Sequence, residues 1–161
     1  MSIVDTCNVV LQQALGVFSG PSGINAQLAS AVNASLPPVG TILMISAPID
    51  AYEKTASVKY PVAAIYCERL RNTQTEKFRM LSGTASLVVE LRVSGERAES
   101  LETSLNSYVE AACQVLDASR GAWSSIGTYN GAYDVKFQAT RFGGKQFTKS
   151  AHIEFDIQIS R

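Results

Sequence analysis

The residues with the chemistry for catalysis are few and lie near the C-terminus. The single histidine, His152, is followed at alternate positions by Glu154 and Asp156. Alternate positions of a strand share one face, so an imidazole and two carboxylates would lie side by side. Such a trio has the groups needed for general base catalysis or for holding a cation. An exposed polar strand face shows the same pattern without any chemistry, and we expect that simpler interpretation to hold.

Signature motifs of common enzyme classes are absent from the sequence. The glycine-rich stretch Gly16–Gly23 lacks the Lys-Ser/Thr pair that completes a phosphate-binding loop, so we interpret it as a break between two helices. Cys7, Cys67 and Cys113 have no C-x-x-C spacing and no histidine nearby in the sequence, which predicts reduced thiols. We therefore predict a protein that is not an enzyme and that has no metal or cofactor.

Positive charge gathers in two short regions of the chain. The first group is Arg69, Arg71, Lys77 and Arg79, and the second is Lys136, Arg141, Lys145 and Lys149. Glu68 and Glu76 dilute the first group. Basic turn residues often only blunt strand edges, but both groups are candidate contacts for an acidic partner or for DNA as a loose rim.

The overall charge balance hides an uneven distribution. The 161 residues include 14 basic and 14 acidic side chains, and this zero net charge argues against free binding to nucleic acid. Only Asp5 among the charged residues precedes Asp50. A segment so poor in charge is expected to be covered by other protein. Its apolar runs are shorter than the roughly 20 residues of a membrane span, and its start lacks the basic residues of a secretory signal. We predict a cytoplasmic protein with no membrane contact.

Residues 1–59 are predicted to form a helical arm followed by a loop. Apolar spacings of three and four predict a helix from Ser2 to Phe18 and a second from about Gly23 to Ala34. From Ser35 to Lys59 no periodicity is dependable, and Thr41–Ile45 fits a strand or a loop equally well.

Residues 60–161 are predicted to form an α+β domain. The predicted elements are strands at Val62–Glu68 and Leu81–Val93, a helix from Ala98 closed by Gly121 as a left-handed cap, and a hairpin from Tyr133 to Ile159 turned by Gly143-Gly144. Four mostly antiparallel strands with one apolar face, packed with helices, predict a two-layer fold behind the N-terminal helical arm.

Four short motifs occur in order along residues 60–161. They are YPVAAIYCER from Tyr60, KFRMLSG from Lys77, VVELRVS from Val88 and FGGKQF from Phe142. Together they resemble the tail-terminator and neck proteins at the head–tail junction of tailed bacteriophages. The resemblance does not extend through residues 1–59. It implies a small α+β structural protein of the virion, without an active site, that forms a hexameric ring on the tail tube. Such a ring ends tube polymerisation and joins the tail to the head-side connector.

Several related and unrelated functions stay open at this point. Another neck ring, such as a head-completion or connector protein, or a tail-tube-like subunit would use a similar domain. A cytoplasmic binding module that takes an acidic partner through the Lys136–Lys149 hairpin is a second class, and an enzyme built on His152 with Glu154 is a third. For the ring, the expected partners are further copies of the chain, the tail-tube protein, the head-side connector and DNA in the lumen. Neighbouring subunits are then expected to cover the uncharged arm.

Overall fold

The computed structural model describes residues 3–30, 35–44, 48–54, 57–73, 81–123, 125, 127–143 and 145–160. Four helices and seven strands occur in this part of the chain. In chain order they are α1 (Ile3–Ser19), α2 (Ile24–Ser30), β1 (Thr41–Met44), α3 (Ile49–Glu53), β2 (Val62–Asn72), β3 (Ser82–Gly95), α4 (Ala98–Ala118), β4 (Gly121–Ala122), β5 (Gly127–Phe137), β6 (Arg141–Phe142) and β7 (Phe147–Ser160). None of these helices is both long enough and apolar enough to cross a bilayer.

The strands form a single sheet in the order β1-β2-β3-β7-β5-β4, with β6 paired to β7. Only β1 and β2 run parallel, and the other described pairs are antiparallel. The central pair is the longest, from Ser82 opposite Ser160 to Gly95 opposite Phe147. The α+β class is confirmed. The predicted count of four strands is wrong: β2, β3, β5 and β7 match the predicted strands, but three short strands join them, because local periodicity cannot identify strands of two to four residues.

Helices α1 and α4 pack on one face of the sheet. The strand predicted for Leu81–Val93, with one apolar face, is confirmed, since the alternate residues Leu87, Val89 and Leu91 lie in the core beneath the helices. Strand β7 contributes Ile153, Phe155 and Ile157 to the same core in the same way. Burial of this apolar area supplies the main driving force for folding.

Helix α1 is part of this same core. Val10, Ala14 and Phe18 are fully buried against the sheet. Apart from Asp5, the exposed polar residues of the helix are uncharged, namely Asn8, Gln12, Gln13 and Ser19. The apolar face of α1 therefore needs no cover from other subunits, while contact of neighbouring subunits with the rest of the uncharged segment stays a prediction. The chain's own sheet covers the apolar face of α1, and amide and hydroxyl groups meet solvent on the other side.

The segment with no sequence periodicity is ordered by contacts from distant residues. The Asn25 side chain donates to the carbonyl of Val39 at 3.0 Å and accepts from its amide at 2.7 Å. The Tyr108 hydroxyl donates to the carbonyl of Pro37 at 2.6 Å. Between Ser35 and Lys59 the structure forms β1 and α3, and the strand alternative for residues 41–44 is the correct one. Local sequence patterns do not record such long-range contacts.

Several predicted boundaries change in the structure. Helix α2 is described to Ser30, and residues 31–34 lie outside the described part. Helix α4 ends at Ala118, and Ser119 follows it with φ −103°, so the predicted cap at Gly121 is wrong. Gly121 does adopt a positive φ of 110°, but it begins β4. The C-terminal hairpin is confirmed, although β5 starts earlier than predicted because a bulge between Tyr129 and Tyr133 interrupts the alternation.

An aromatic cluster fills the core at the end of α4. The rings of Trp123, Tyr129 and Phe155 lie 5.5–5.6 Å apart, and Phe18 lies 6.2 Å from Phe155. The Trp123 indole donates to the carbonyl of Ser119 at 2.5 Å. The Tyr129 hydroxyl, in contrast, is buried without a hydrogen-bond partner in the described part of the chain.

Two Tyr→Phe substitutions should therefore change stability in opposite directions. Tyr129→Phe removes a buried hydroxyl that has no partner, so the free energy of unfolding should rise by up to about 1 kcal/mol. Tyr108→Phe removes the bond to the Pro37 carbonyl and should lower the same quantity by about 1 kcal/mol. Urea denaturation of both variants and the wild type tests this. Equal losses in both variants would show that the Tyr129 hydroxyl has a partner.

Candidate functional site

The first basic group lies partly at the far end of β2. Arg69 and Arg71 are exposed there, and neither forms an ion pair within the described residues. Lys77 and Arg79 lie in residues 74–80, outside the described part of the chain. Their role as partner contacts stays a prediction.

The second basic group, on the β5–β7 hairpin, is largely paired with acids from other elements. The pairs are Lys136 with Glu154 at 2.6 Å, Arg141 with Asp50 at 3.4 Å and Lys149 with Glu102 at 3.5 Å. Lys145 is exposed at the turn and holds no ion pair within the part that the structure describes. Residues 135–153 contain no acid, but folding brings acids to the basic residues from α3, α4 and β7. The positive charge of the hairpin is therefore weaker than its sequence indicates.

The sheet face opposite α1 and α4 carries a shallow acidic cleft of about 430 Å³. Its charged lining residues are Glu68, Arg69, Asp134, Glu154 and Asp156. Acids outnumber bases here, so this end of the face offers little attraction to a polyanion. Within the described residues, no group of three or more His, Cys, Asp or Glu side chains is placed to hold a metal ion.

A buried ionic cluster occupies the middle of the same face. Glu90 and Arg92 lie two residues apart on β3 and so point the same way, and they are only 1% and 7% exposed. The Arg92 guanidinium contacts Glu90 at 2.8 Å, Asp50 at 2.6 Å and Glu53 at 2.8 Å. The second carboxylate oxygen of Glu90 accepts from the amide of Ile49 at 2.9 Å. Every charge in this cluster is thus paired or hydrogen-bonded, as burial requires.

Helix α3 is the element that covers this cluster. Ile49 packs against Val62 and Ala64 in a second, small apolar core on this face. The Tyr60 hydroxyl donates to the carboxylate of Glu53 at the other end of the helix. With only five residues, α3 gains little stability from its own hydrogen bonds, so these tertiary contacts hold it in place.

The cluster shifts the pKa values of its carboxyl groups. A hydrogen bond from Arg92 holds the pKa of Asp50 below its ordinary value. Burial alone would raise the pKa of Glu90, but bonds from His152 and the Ile49 amide, with the charge of Arg92, outweigh burial and lower it. Both carboxylates are therefore held in the ionised form.

The single histidine faces Glu90 rather than the carboxylate chosen from the sequence. His152 Nε2 lies 3.7 Å from Glu90 Oε1, whereas Lys136 holds the Glu154 carboxylate. The pairing of His152 with Glu154 that the enzyme alternative required is not formed. In addition, Arg92 and the Ile49 amide already occupy both oxygens of Glu90. This arrangement can fix α3 to the sheet.

Sequence reasoning missed Glu90, Arg92 and α3 as one unit. One signal was available: Val88 shares the polar side of β3 with Glu90 and Arg92, and an apolar residue there indicates cover on that side. The identity of the cover, a five-residue helix about 40 residues upstream, had no local signature.

The β5–β7 hairpin presents an open strand edge and two exposed phenylalanines. The Gln138 amide donates to Ser150 on β7 at 2.9 Å. Because amides alternate in direction along a strand, those of Val135 and Phe137 point away from β7. Within the described residues, β4 pairs only with Thr128 and Tyr129, so it does not cover this part of the edge. Phe137 and Phe142 are 52% and 63% exposed. Backbone donors and apolar rings thus meet solvent together.

Removing Arg92 should destabilise the protein strongly. Arg92→Met leaves Glu90 buried without its guanidinium partner, and the expected loss in the free energy of unfolding is about 3–5 kcal/mol. Arg120→Met is the matched control, because its ion pair with Asp117 at 3.2 Å is exposed. The expected loss there is below about 1 kcal/mol. Urea denaturation compares the two variants, and equal losses would contradict a special role for the Glu90–Arg92 cluster.

Lowering the pH should reduce the difference in stability to urea between the wild type and Arg92→Met. Since Asp50 and Glu90 have lowered pKa values, their stabilisation is complete above the ordinary values of 3.8 and 4.5 and is lost as the pH falls through the folded values. In the variant, Glu90 is buried without its cation, so protonation favours the folded state. Urea midpoints between about pH 6 and about pH 3 should therefore converge. A difference in urea midpoint that stays the same across this pH range would contradict this explanation.

Comparison with known proteins adds no assignment to this picture. Neither the known protein families nor the curated proteins include a match to the chain. The open edge of β5 and the buried Glu90–Arg92 cluster are therefore the observations from which a function can be argued.

Proposed function

We propose that the chain is a structural subunit of the phage neck and not an enzyme. In this proposal, copies of the chain form a ring, a hexamer, that caps the tail tube, ends its polymerisation and joins the tail to the head-side connector. The open edge of β5, bordered by exposed phenylalanines, is the observation that carries the proposal. The resemblance of the motifs in residues 60–161 supplies the specific place in the virion.

The strand directions support head-to-tail assembly. Strands β2, β3, β7 and β5 alternate in direction, so β5 runs antiparallel to β2 at the other side of the sheet. Rotation about a ring axis preserves the directions of strands that lie along that axis, and in such a ring β5 of one copy can pair with β2 of the next in antiparallel register. A closed ring needs two such different patches on each subunit. On β2, the described part of β1 pairs only with Val62–Ile65.

The hairpin side chains support the same contact. Phe142 packs against Phe147, with 4.9 Å between the ring centroids, and stays largely exposed. An aromatic ring beside a strand edge adds apolar contact to the backbone hydrogen bonds of an added strand. In this proposal the subunit has two layers. Helices α1 and α4 cover one face of the sheet, and the acidic cleft on the opposite face is left for other contacts.

The proposed partners are further copies of the chain, the tail-tube protein and the head-side connector. Non-specific DNA contact in the lumen would use the basic residues that hold no described ion pair: Arg69, Arg71 and Lys145, together with Lys77 and Arg79. The binding-module alternative is weaker, because most of the hairpin bases already hold acids of the chain itself. Another neck ring or a tail-tube-like subunit is compatible with the same edge.

Two substitutions of Phe137 should distinguish the contribution of the β5 backbone edge to ring assembly from that of the Phe137 side chain. Phe137→Pro removes an amide that points away from β7, so the hairpin ladder keeps its bonds while the edge loses a donor. We expect the wild type to form a ring, alone or when mixed with tail-tube protein, and Phe137→Pro to remain a monomer. Phe137→Thr keeps the amide and should still assemble, with weaker affinity. Light scattering coupled to size exclusion gives the three masses.

Far-ultraviolet circular dichroism is the control that the Phe137→Pro monomer is folded. A wild type that stays monomeric at high concentration and ignores the ends of tail tubes would contradict the proposed function. If Phe137→Pro forms rings as well as the wild type does, the β5 edge is not the interface and the ring forms through another surface.

A further inference from the structure

Two cysteines that are 60 residues apart in the sequence meet where α1 packs on β2. Cys7 on α1 and Cys67 on β2 share a hydrogen bond between their side chains, and both thiols are free. Cys113, the third cysteine, lies on α4 and contacts Tyr133 instead. The protein thus holds one pair of adjacent thiols and one separate thiol.

The surroundings of the pair leave the sulfurs accessible and the backbone adaptable. Neither Cys7 nor Cys67 is fully buried, although both pack against the edge of the core. The register of β2 shifts between Cys67 and Arg69. The Cys67 thiol shares its one proton between Cys7 and the Arg69 carbonyl, whose oxygen lies 3.5 Å from the sulfur. A bulge of this kind lets a strand adjust locally without breaking the rest of the ladder.

We propose that Cys7 and Cys67 form a reversible disulfide, with a small-molecule disulfide as the oxidant. The Cys7 thiolate attacks one sulfur of the oxidant, a mixed disulfide forms on Cys7, and one thiolate leaves. That leaving thiolate takes the proton of Cys67. The Cys67 sulfur then attacks the Cys7 sulfur and displaces the second thiolate. Overall, two protein thiols are oxidised to one disulfide and the small disulfide is reduced to two thiols.

The electrostatics of the pair set the order of attack. The hydrogen bond from Cys67 lowers the pKa of Cys7 to about 7, so a large share of Cys7 is thiolate near neutral pH. The same interaction raises the pKa of Cys67, and burial raises the pKa of Cys113. Cys7 is therefore the attacking group, Cys67 resolves the mixed disulfide, and Cys113 is comparatively inert. The proposal departs from the sequence-based expectation of three reduced thiols, which the structure contains as free cysteines.

The disulfide would fasten α1 to the sheet. It closes a loop of about 60 residues, and loops of this length reduce the entropy of the unfolded chain substantially. The expected rise in melting temperature is of the order of 10 °C for a chain of this size. The inference is independent of the proposed ring, because it concerns contacts within one copy of the chain.

Oxidised glutathione provides a direct test on the purified, reduced full chain. Intact mass should fall by two hydrogen atoms, and peptide mapping should link Cys7 to Cys67 while Cys113 stays free. In Cys67→Ser, the resolving sulfur is missing, and Cys7 should retain one glutathione. Cys113→Ser is the matched control and should form the internal disulfide as fast as the wild type.

Three outcomes would overturn the proposal. They are a stable glutathione adduct on wild-type Cys7 with no internal disulfide, oxidation of Cys113 at the same rate as Cys7, and disulfide-linked dimers as the main product. If Cys67→Ser does not fold, the proposal is still tested, because peptide mapping of the oxidised wild type alone shows whether the Cys7–Cys67 disulfide forms.

Discussion

The pairing of Glu90 with Arg92 is the interaction on which the rest of this structure depends. Strand β3 lies in the middle of the sheet and is covered on both faces, by α1 and α4 on one side and by α3 on the other. Two buried charges are tolerable there only because each neutralises the other. Arg92 also holds Asp50 and Glu53, and Asp50 in turn holds Arg141 of the hairpin. One guanidinium therefore connects the N-terminal segment, the central strand and the C-terminal hairpin.

This connection determines which surfaces remain for other molecules. The uncharged N-terminal segment contributes to the main core through α1, so the apolar face of that helix is not left for a partner. The acidic cleft and the paired lysines make the outer face of the sheet a poor site for a polyanion. The backbone edge of β5 has no comparable partner in the described residues, and the rings of Phe137 and Phe142 beside it stay largely exposed. Assembly through that edge is accordingly the function that we favour.

The parts of the fold that follow from local periodicity could be predicted, and those that depend on distant contacts could not. Alternation in β3 and β7 and the spacing in α1 and α4 identified these elements and their buried faces. Helix α3 and the clamp of Asn25 on Val39 exist because of residues far away in the sequence. For the same reason the sequence overstates the positive charge of the hairpin, since its acidic partners come from other elements. The Cys7–Cys67 contact likewise arises only when α1 packs on β2.

Amide hydrogen exchange of Val135, Lys136 and Phe137 tests the central claim most directly. Lys136 lies opposite His152 with its amide directed toward β7, whereas the two flanking amides point to the open edge. The account predicts fast exchange of Val135 and Phe137 in the dilute monomer, strong protection of both in the assembled ring, and slow exchange of Lys136 in both states. Rings in which Val135 and Phe137 exchange as fast as in the monomer would contradict assembly through the β5 edge.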